Sequence, residues 1–424
     1  MTFVRQPTRA GVRDAAAKIA SVVPPSPLFV AEIRGSSIAF KCECLQPMGA
    51  FKLRGAWHRL TAIDPEMRPR GVVAFSSGNH AQGIAWAAKR LGMPATVVMP
   101  ADAPKSKREG TLALGAEIVS YDRHSESREQ IAGRLAEARG AVLVPSFDDP
   151  WVIEGQGSTG IEAAAQMEAQ GLGPAVQVVV PCGGGGLAAG IALGLPDAMM
   201  TVAEPDGWDD MRRSLEAGWI EEVGPDAPPT ACDALQTKRV SDLTFDVLSR
   251  RGVRGVAVSE FEIRNAQRWA AERLRLVVEP GGAVALAALL SGKVEATAGT
   301  LVILSGGNVE REAYGRVLAG GGLNCPLRSS PIPPPFVSSE VEKLCAALKA
   351  VSRLRSKRTG KGGAMNTETL TGIGAAAPAI AMLGMFACIA GGIYLIATKR
   401  DRTKGVLLLV MSVVLLGNVL VWTL

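Results

Sequence analysis

VVVPCGGGGLAAG (178–190) sets an unbroken valine run against four glycines and then an alanine-rich stretch. The valines read as a buried strand and the stretch after the glycines as a helix. Four glycines at such a junction let backbone amides close around a phosphate group at a helix N-terminus. No Lys-Ser/Thr pair follows and the GxGxxG order is absent, so the loop is neither a Walker A nor a dinucleotide motif. A flexible linker is the competing reading, but linkers seldom join such a strand to such a helix.

The same grammar extends in both directions. GVVAFSS (71–77), ATVVMP (95–100), AEIVSYD (116–122), AVLVPS (141–146), MMTVAEP (199–205) and TLVILSGG (300–307) read as further strands. HAQGIAWAAKRLG (80–92) and KREGTLALGA (107–116) read as helices between them. Strand–helix alternation implies right-handed crossovers and parallel sheets covered on both faces. In such sheets ligands sit at the carboxyl ends of the strands.

The chain has 424 residues, 47% hydrophobic and 20% charged, which admits several domains and excludes wholesale disorder. Its formal charge of +6 is unevenly placed. Residues 321–424 hold twelve Lys and Arg against four Asp and Glu, so residues 1–320 carry −2. The body therefore has no positive field for nucleic acid. Seven scattered cysteines without a CxxC pair support neither a zinc ribbon nor a disulfide framework. The first twenty residues lack a secretory signal's apolar run, and the body is expected in a reducing cytosol.

Beyond residue 320 the composition turns to Gly, Pro, Ser and basic residues, a linker over 321–364. Thr369 to Thr398 and Gly405 to Leu424 then carry no charge at all. Within 365–424 this predicts a transmembrane hairpin with spans at about 373–397 and 405–424, against a competing pair of buried core helices. The hairpin would anchor the whole chain in the inner membrane. The basic loop at Lys399–Lys404 and the basic stretch 353–361 pull its orientation in opposite directions. Met365 as the start of a once separate small membrane protein is one account of the join.

Three further stretches carry chemistry. In QPMGAFKLRG (46–55), Lys52 between Phe51 and Leu53 near a helix N-terminus would meet desolvation and a positive dipole end. Both depress an amine's pKa, as a Schiff-base lysine requires. A surface lysine on an amphipathic helix is the plainer alternative. In SSGNHAQG (76–83), Ser76, Ser77 and the amides of Gly78, Asn79 and His80 form a cup for a carboxylate, or else an ordinary helix cap. LVILSGGN (301–308) places the Ser305 hydroxyl at the same sheet edge. His58 and His124 have no catalytic partner at useful spacing, so a Ser-His-Asp hydrolase is a poor reading.

Taken together, over residues 15–320, these stretches resemble the fold-type II pyridoxal-phosphate enzymes (tryptophan synthase beta-like), in particular the serine/threonine dehydratase and serine racemase branch. APKSKREG, SFDDPWVIEGQGSTGIE and VVEPGGAVALAALLSG belong to the same resemblance. It implies a two-domain α/β fold with parallel sheets: a large domain from 1–68 and 147–320, and a small one from 69–146. It implies pyridoxal 5′-phosphate held by Lys52, with Phe51 beside the ring and Asn79 on its 3-oxygen. Gly183, Gly184, Gly185, Gly186 and Leu187 would hold the phosphate, and Ser305 would face the pyridine nitrogen. A neutral hydroxyl there favours expulsion of a β-substituent over transamination.

The implied reaction is loss of water from L-threonine or L-serine, giving 2-oxobutyrate or pyruvate and ammonia. Ser76, Ser77, Asn79 and His80 would hold the small amino-acid substrate by its carboxylate, with Arg128 as a further contact, unless Arg128 is simply a solvated charge. Dehydratases of this branch usually carry alanine at the position of Ser77. A serine there, opposite Lys52, could return a proton and invert C2. Serine racemase or L-threo-3-hydroxyaspartate dehydratase is therefore the alternative. Ala50 and Ala234 depart from the branch's usual serine and glycine. AEPDGWDD (203–210) resembles a divalent-cation loop, with Glu204, Asp210 and the Trp208 carbonyl around Mg²⁺ or Ca²⁺. An acidic helix start is the alternative to that site. The branch also suggests a homodimer. A binding module of the same fold without activity, tethered to a membrane, is the reading from another functional class.

Overall fold

The computed structural model describes residues 5–76, 78–103, 105–122 and 125–320. The expected linker and hairpin, and with them every membrane assignment, lie outside the described residues, as does His124. Among the described residues no helix is long and apolar enough to cross a membrane.

Among the described residues ten strands make two sheets. The larger takes β1 (Leu28–Ile33), β2 (Ser36–Cys42), β7 (Gln177–Pro181), β8 (Met199–Pro205), β9 (Arg254–Val258) and β10 (Thr300–Leu304), in the order β1-β2-β10-β7-β8-β9. The smaller takes β3 (Val72–Phe75), β4 (Ala95–Pro100), β5 (Glu117–Tyr121) and β6 (Val142–Leu143), in the order β5-β4-β3-β6. The strand pairings are parallel, as expected, except that of β1 with β2 at one edge. That edge is a hairpin turned by Arg34 and Gly35, at φ 52° and 80°. Two left-handed residues suit a two-residue turn between twisted strands.

The helices are α1 (Arg9–Ala20), α2 (Lys52–Thr61), α3 (Asn79–Leu91), α4 (Lys105–Ala113), α5 (Arg128–Arg139) and α6 (Pro150–Ala169). They continue with α7 (Gly186–Gly194), α8 (Asp210–Ala217), α9 (Asp242–Arg250), α10 (Glu260–Trp269), α11 (Pro280–Ser291) and α12 (Arg311–Ala319). On one face of the larger sheet α10 and α11 close a core around Phe40 and Trp269. On the other face α6, α7 and α9 do the same around Ile153, Leu187 and Met200.

Helix α6 positions the site. Asp149 caps it, accepting from the Val152 amide at 2.9 Å, and Pro150 opens it. It then meets two neighbours almost backbone to backbone. A Cβ at Gly155 would fall 2.6 Å from the Cα of Gly55 in α2, and one at Gly157 would fall 2.4 Å from the Gly190 carbonyl in α7. Only glycine permits both approaches.

A buried ion cluster completes the join. Arg54 of α2, fully buried, donates to both Glu43 oxygens at 2.8 Å and to Glu162 of α6 at 2.9 and 3.0 Å. Lys41 of β2 donates to Glu162, to Gln166 at 2.7 Å and to the Ser26 carbonyl at 2.7 Å. Burial alone would raise the Glu162 carboxyl, but Arg54 and Lys41 outweigh it and hold it below its ordinary pKa. Two cations therefore face two anions with no water needed to balance them. Arg54→Ala is expected to cost about 3–5 kcal/mol, because it leaves two buried carboxylates short of a cation. The check is the urea unfolding midpoint; a loss below about 1 kcal/mol would mean that water solvates the cluster.

Candidate active site

Lys52 is the first residue of α2, and backbone contacts to Ser305–Gly307 hold the approach to it in place. The Phe51 amide donates to the Ser305 carbonyl at the end of β10 at 3.1 Å. Ala50 bridges to Gly306, and the Gly307 amide donates to Gly49 at 2.8 Å. The Lys52 amine donates to the Ser146 carbonyl at 3.1 Å and lies 5.0 Å from the Phe51 ring centroid. Burial lowers its pKa from 10.5 to about 8, with Glu279 pulling weakly the other way.

Two helix starts lack a side-chain cap: that of α3, which lines one cleft with Lys52, and that of α7, which packs against Phe147 of the same cleft. Gly78 precedes α3 without a side-chain cap, and Ser76 Oγ accepts the Gly78 amide at 3.2 Å. Ser77 lies outside the described residues, so its expected proton-return role has no structural account. The second start is α7, where Gly183 to Gly186 are all buried and the cap residue Gly185 is left-handed at φ +86°. A Cβ at Gly184 would fall 2.3 Å from the Phe147 ring, and one at Gly185 would fall 2.8 Å from Thr244. Thr244 Oγ1 fixes the loop by donating to the Gly184 carbonyl at 2.9 Å. The α7 amides thus have no side-chain partner of their own, which suits a phosphate. The Leu187 side chain belongs to the core, so only its backbone can serve such a group.

Two of the expected binding residues have side chains that already hold partners. The His80 imidazole is buried and its Nε2 pairs with the Val144 carbonyl at 3.0 Å, so that nitrogen is already occupied. Burial, with help from the Lys52 charge, pushes its pKa down to about 3, and the ring is neutral at physiological pH. The Asn79 side chain is held from both ends. Its Nδ2 donates to Glu279 Oε1 at 2.7 Å, and its Oδ1 accepts from Asn308 at 2.9 Å. One Nδ2 hydrogen remains for a ligand.

Glu279 was not singled out from the sequence, although it opens EPGGAVALAALL. It is 3% exposed and its Oε2 has no partner. Burial first, then Asp233, raise its pKa to about 7. A Cβ at Gly306 would fall 2.0 Å from its Oε1, which accounts for the glycine after Ser305. A carboxyl group ahead of a proline-opened, uncapped helix in an otherwise apolar run was the available signal.

Lys52, Ser76, Asn79 and Arg128 line one cleft together with Lys107 and Asp233. Arg128 lies 5.6 Å over the Phe75 ring and pairs with neighbouring Glu129 at 2.7 Å. Ala234 lines the same cleft, whereas Ala50 is buried behind it.

The expected cation loop is separate. Glu204 is buried and accepts the Met211 and Arg212 amides at 3.1 and 2.8 Å, which makes it the cap of α8. Neither Asp210 oxygen has a well-formed hydrogen bond, and burial raises its pKa to about 7 despite the nearby Asp210 and Val240 amides. Burial, then Asp210, also push Glu204 well above its ordinary value. The Trp208 indole donates to the Pro228 carbonyl at 2.8 Å. Among the described residues no three His, Cys, Asp or Glu side chains cluster as metal ligands, so a cation here would rest on two carboxylates and backbone oxygen. The four described cysteines are free and buried.

Residues 21–306 match the family described as "Pyridoxal-phosphate dependent enzyme". The chain is 42% identical over 291 residues to an L-threo-3-hydroxyaspartate ammonia-lyase of a Pseudomonas species, covering 68% of this chain and 89% of the relative. Among solved structures it resembles maize serine racemase, with a TM-score of 0.68 and 35% identity over 74% of this chain and 97% of that one. It also resembles a T.th. threonine deaminase, with a TM-score of 0.66 and 39% identity over 72% of this chain and 99% of that one.

The lowered amine pKa gives a test independent of turnover. At pH 8 about half of the Lys52 amine is free base, against roughly 0.3% for an ordinary lysine. Uptake of pyridoxal phosphate by cofactor-free protein, followed by absorbance, is expected to rise with pH and level off above a midpoint near 8. A rate still climbing past pH 10 would contradict the burial of the amine.

Proposed function

The chain belongs to the pyridoxal-phosphate-dependent enzymes, in their ammonia-lyase and racemase group, and from that premise we propose that it removes water from a 3-hydroxy L-amino acid. L-threonine and L-serine are the simplest such substrates and L-threo-3-hydroxyaspartate is the dicarboxylic one. The observation that carries the reading is a buried amine of lowered pKa, Lys52, at the floor of a cleft that also holds an uncapped helix start.

The residues fit the cofactor: a glycine loop in which any side chain would collide, uncapped α7 amides for its phosphate, and Lys52 for its aldehyde. When bound, the cofactor stabilises negative charge at C2 of the amino acid. This chain's residues do the remainder. The α3 amides, with Ser76 and Asn79, hold the α-carboxylate, which fixes C2 over Lys52. Lys52 Nζ takes the C2 proton, the C3–O bond breaks, and the hydroxyl leaves as water once protonated. The released enamine takes up one water, giving the 2-oxo acid and ammonia. Neutral His80 sets the wall of the cleft through Val144 without adding a charge there.

The test is full-length protein with pyridoxal phosphate and each of the three substrates, assayed for ammonia, 2-oxo acid and the handedness of the remaining amino acid. Oxo acid that vanishes in Lys52→Ala supports the lyase. A D-amino acid without oxo acid would move the assignment to a racemase, the activity in the name of the maize structure it resembles.

We also propose that Glu204 and Asp210 take Mg²⁺ or Ca²⁺, in a structural role. The support is the carboxylate of Asp210, buried without a well-formed hydrogen bond in the same network as Glu204. Millimolar Mg²⁺ or Ca²⁺ is expected to raise the melting temperature by roughly 2–4 °C, and Asp210→Asn to abolish that rise. No rise with either cation would leave Glu204 as a helix cap alone.

A further inference from the structure

Lys107 belongs to α4 in the smaller lobe, yet its side chain reaches back over the start of α3. Its Cδ, Cε and Nζ lie 3.2–3.4 Å from where a Cβ of Gly78 would sit, so Gly78 leaves the room that Lys107 fills. The ammonium ends in the cleft and forms an ion pair with Asp233, which arrives from the larger lobe beside Ala234. The Lys107 side chain is 11% exposed and that of Asp233 is 44% exposed. The cation is therefore fixed in the wall, and the anion is the partner free to leave. The cleft also holds Arg128, whose partner Glu129 sits on its own helix.

An amino acid with an uncharged side chain brings one carboxylate, and the α3 amides suffice for it. A second carboxylate would enter a cleft already lined by Asp233, with Glu279 buried against Asn79, and would need a cation beside the α3 cup. Lys107 is that cation. We propose that Lys107 is the specificity-determining residue for a substrate with a carboxylate on C3, and that Asp233 occupies its place when no such substrate is bound. The proposal deepens the lyase reading above and rests on it for the reaction, but not for binding. When a 3-hydroxy dicarboxylic amino acid binds, its C4 carboxylate takes the Lys107 ammonium and Asp233 turns to solvent, so the cleft's charge balance is kept. With serine or threonine the Lys107–Asp233 pair stays closed and presents a neutral wall.

Holoenzyme of the full chain tests this with Lys107→Met, which keeps the apolar stem, and Lys107→Arg, which keeps the charge. The ratio of kcat/KM for L-threo-3-hydroxyaspartate to that for L-serine is expected to fall roughly 10–100-fold in Lys107→Met and to recover in Lys107→Arg. In Asp233→Asn the ratio should rise, because the internal competitor is gone. Binding of L-aspartate and L-2-aminobutyrate, which have no hydroxyl to lose, gives a second readout through the cofactor's absorbance. Wild type should prefer aspartate and Lys107→Met should not. If no substrate turns over but Lys107 still sets that preference, the lyase reading fails and the assignment of Lys107 stands. Equal losses on both substrates, with the aspartate preference unchanged, would overturn the assignment and make Lys107 a strut between lobes.

Discussion

Arg54 lies two residues beyond Lys52, and its guanidinium is held by carboxylates from two other parts of the chain, Glu43 after β2 and Glu162 in α6. A buried ion pair of this kind adds little net stability, but its geometry is unforgiving, since any shift leaves a charge without its partner. The pitch and rotation of α2 are thereby fixed, and with them the point at which the Lys52 amine enters the cleft. Gly55 against Gly155 sets the distance, and Arg54 against Glu162 sets the rotation.

Through α6 the same constraint reaches the other half of the site. One helix carries Gly155 facing α2 and Gly157 facing α7, so the amine and the glycine loop are referred to a single rigid element. A methyl group at either glycine would separate the two groups that must act on the same ligand. Sites built on packed helices hold their geometry better than sites on loops. The smaller sheet is joined differently, through α3 and the Glu279–Asn79–Asn308 chain, which ties its first helix to the segment after β10 and the start of α11.

How much of this was legible varied with the range of the interaction. The sequence declares strand–glycine–helix junctions because their cause is local: β-branched runs, a loop that tolerates no side chain, and a helix without a capping residue. Lys52, Asn79 and the glycine loop could be read on that basis. The β1–β2 hairpin was missed because Arg34-Gly35 is a weaker turn signal than Asn-Gly, and β9 because RGVAV is short and follows a long irregular stretch. Glu279, Lys107 and Asp233 were missed for a different reason. Each is an ordinary charged residue beside a helix start, and its meaning comes only from partners about 120 or more residues away. The pairing of the His80 ring with Val144, 64 residues away, was likewise not visible in the sequence.

The charges in the cleft are arranged so that one of them is free to change partners. Burial lowers the Lys52 pKa to about 8, and His80 is neutral. Glu279 is raised to about 7 and tied to Asn79, so it is only partly ionised at neutral pH. Lys107, Arg128 and Asp233 line the same cleft, with Asp233 the more exposed end of its pair. An incoming monocarboxylate meets uncharged backbone amides and does not disturb the pair. An incoming dicarboxylate must either displace Asp233 or be repelled by it. The exchange of one carboxylate for another at Lys107 costs little because hydrogen-bond count and charge are conserved, and it returns Asp233 to water.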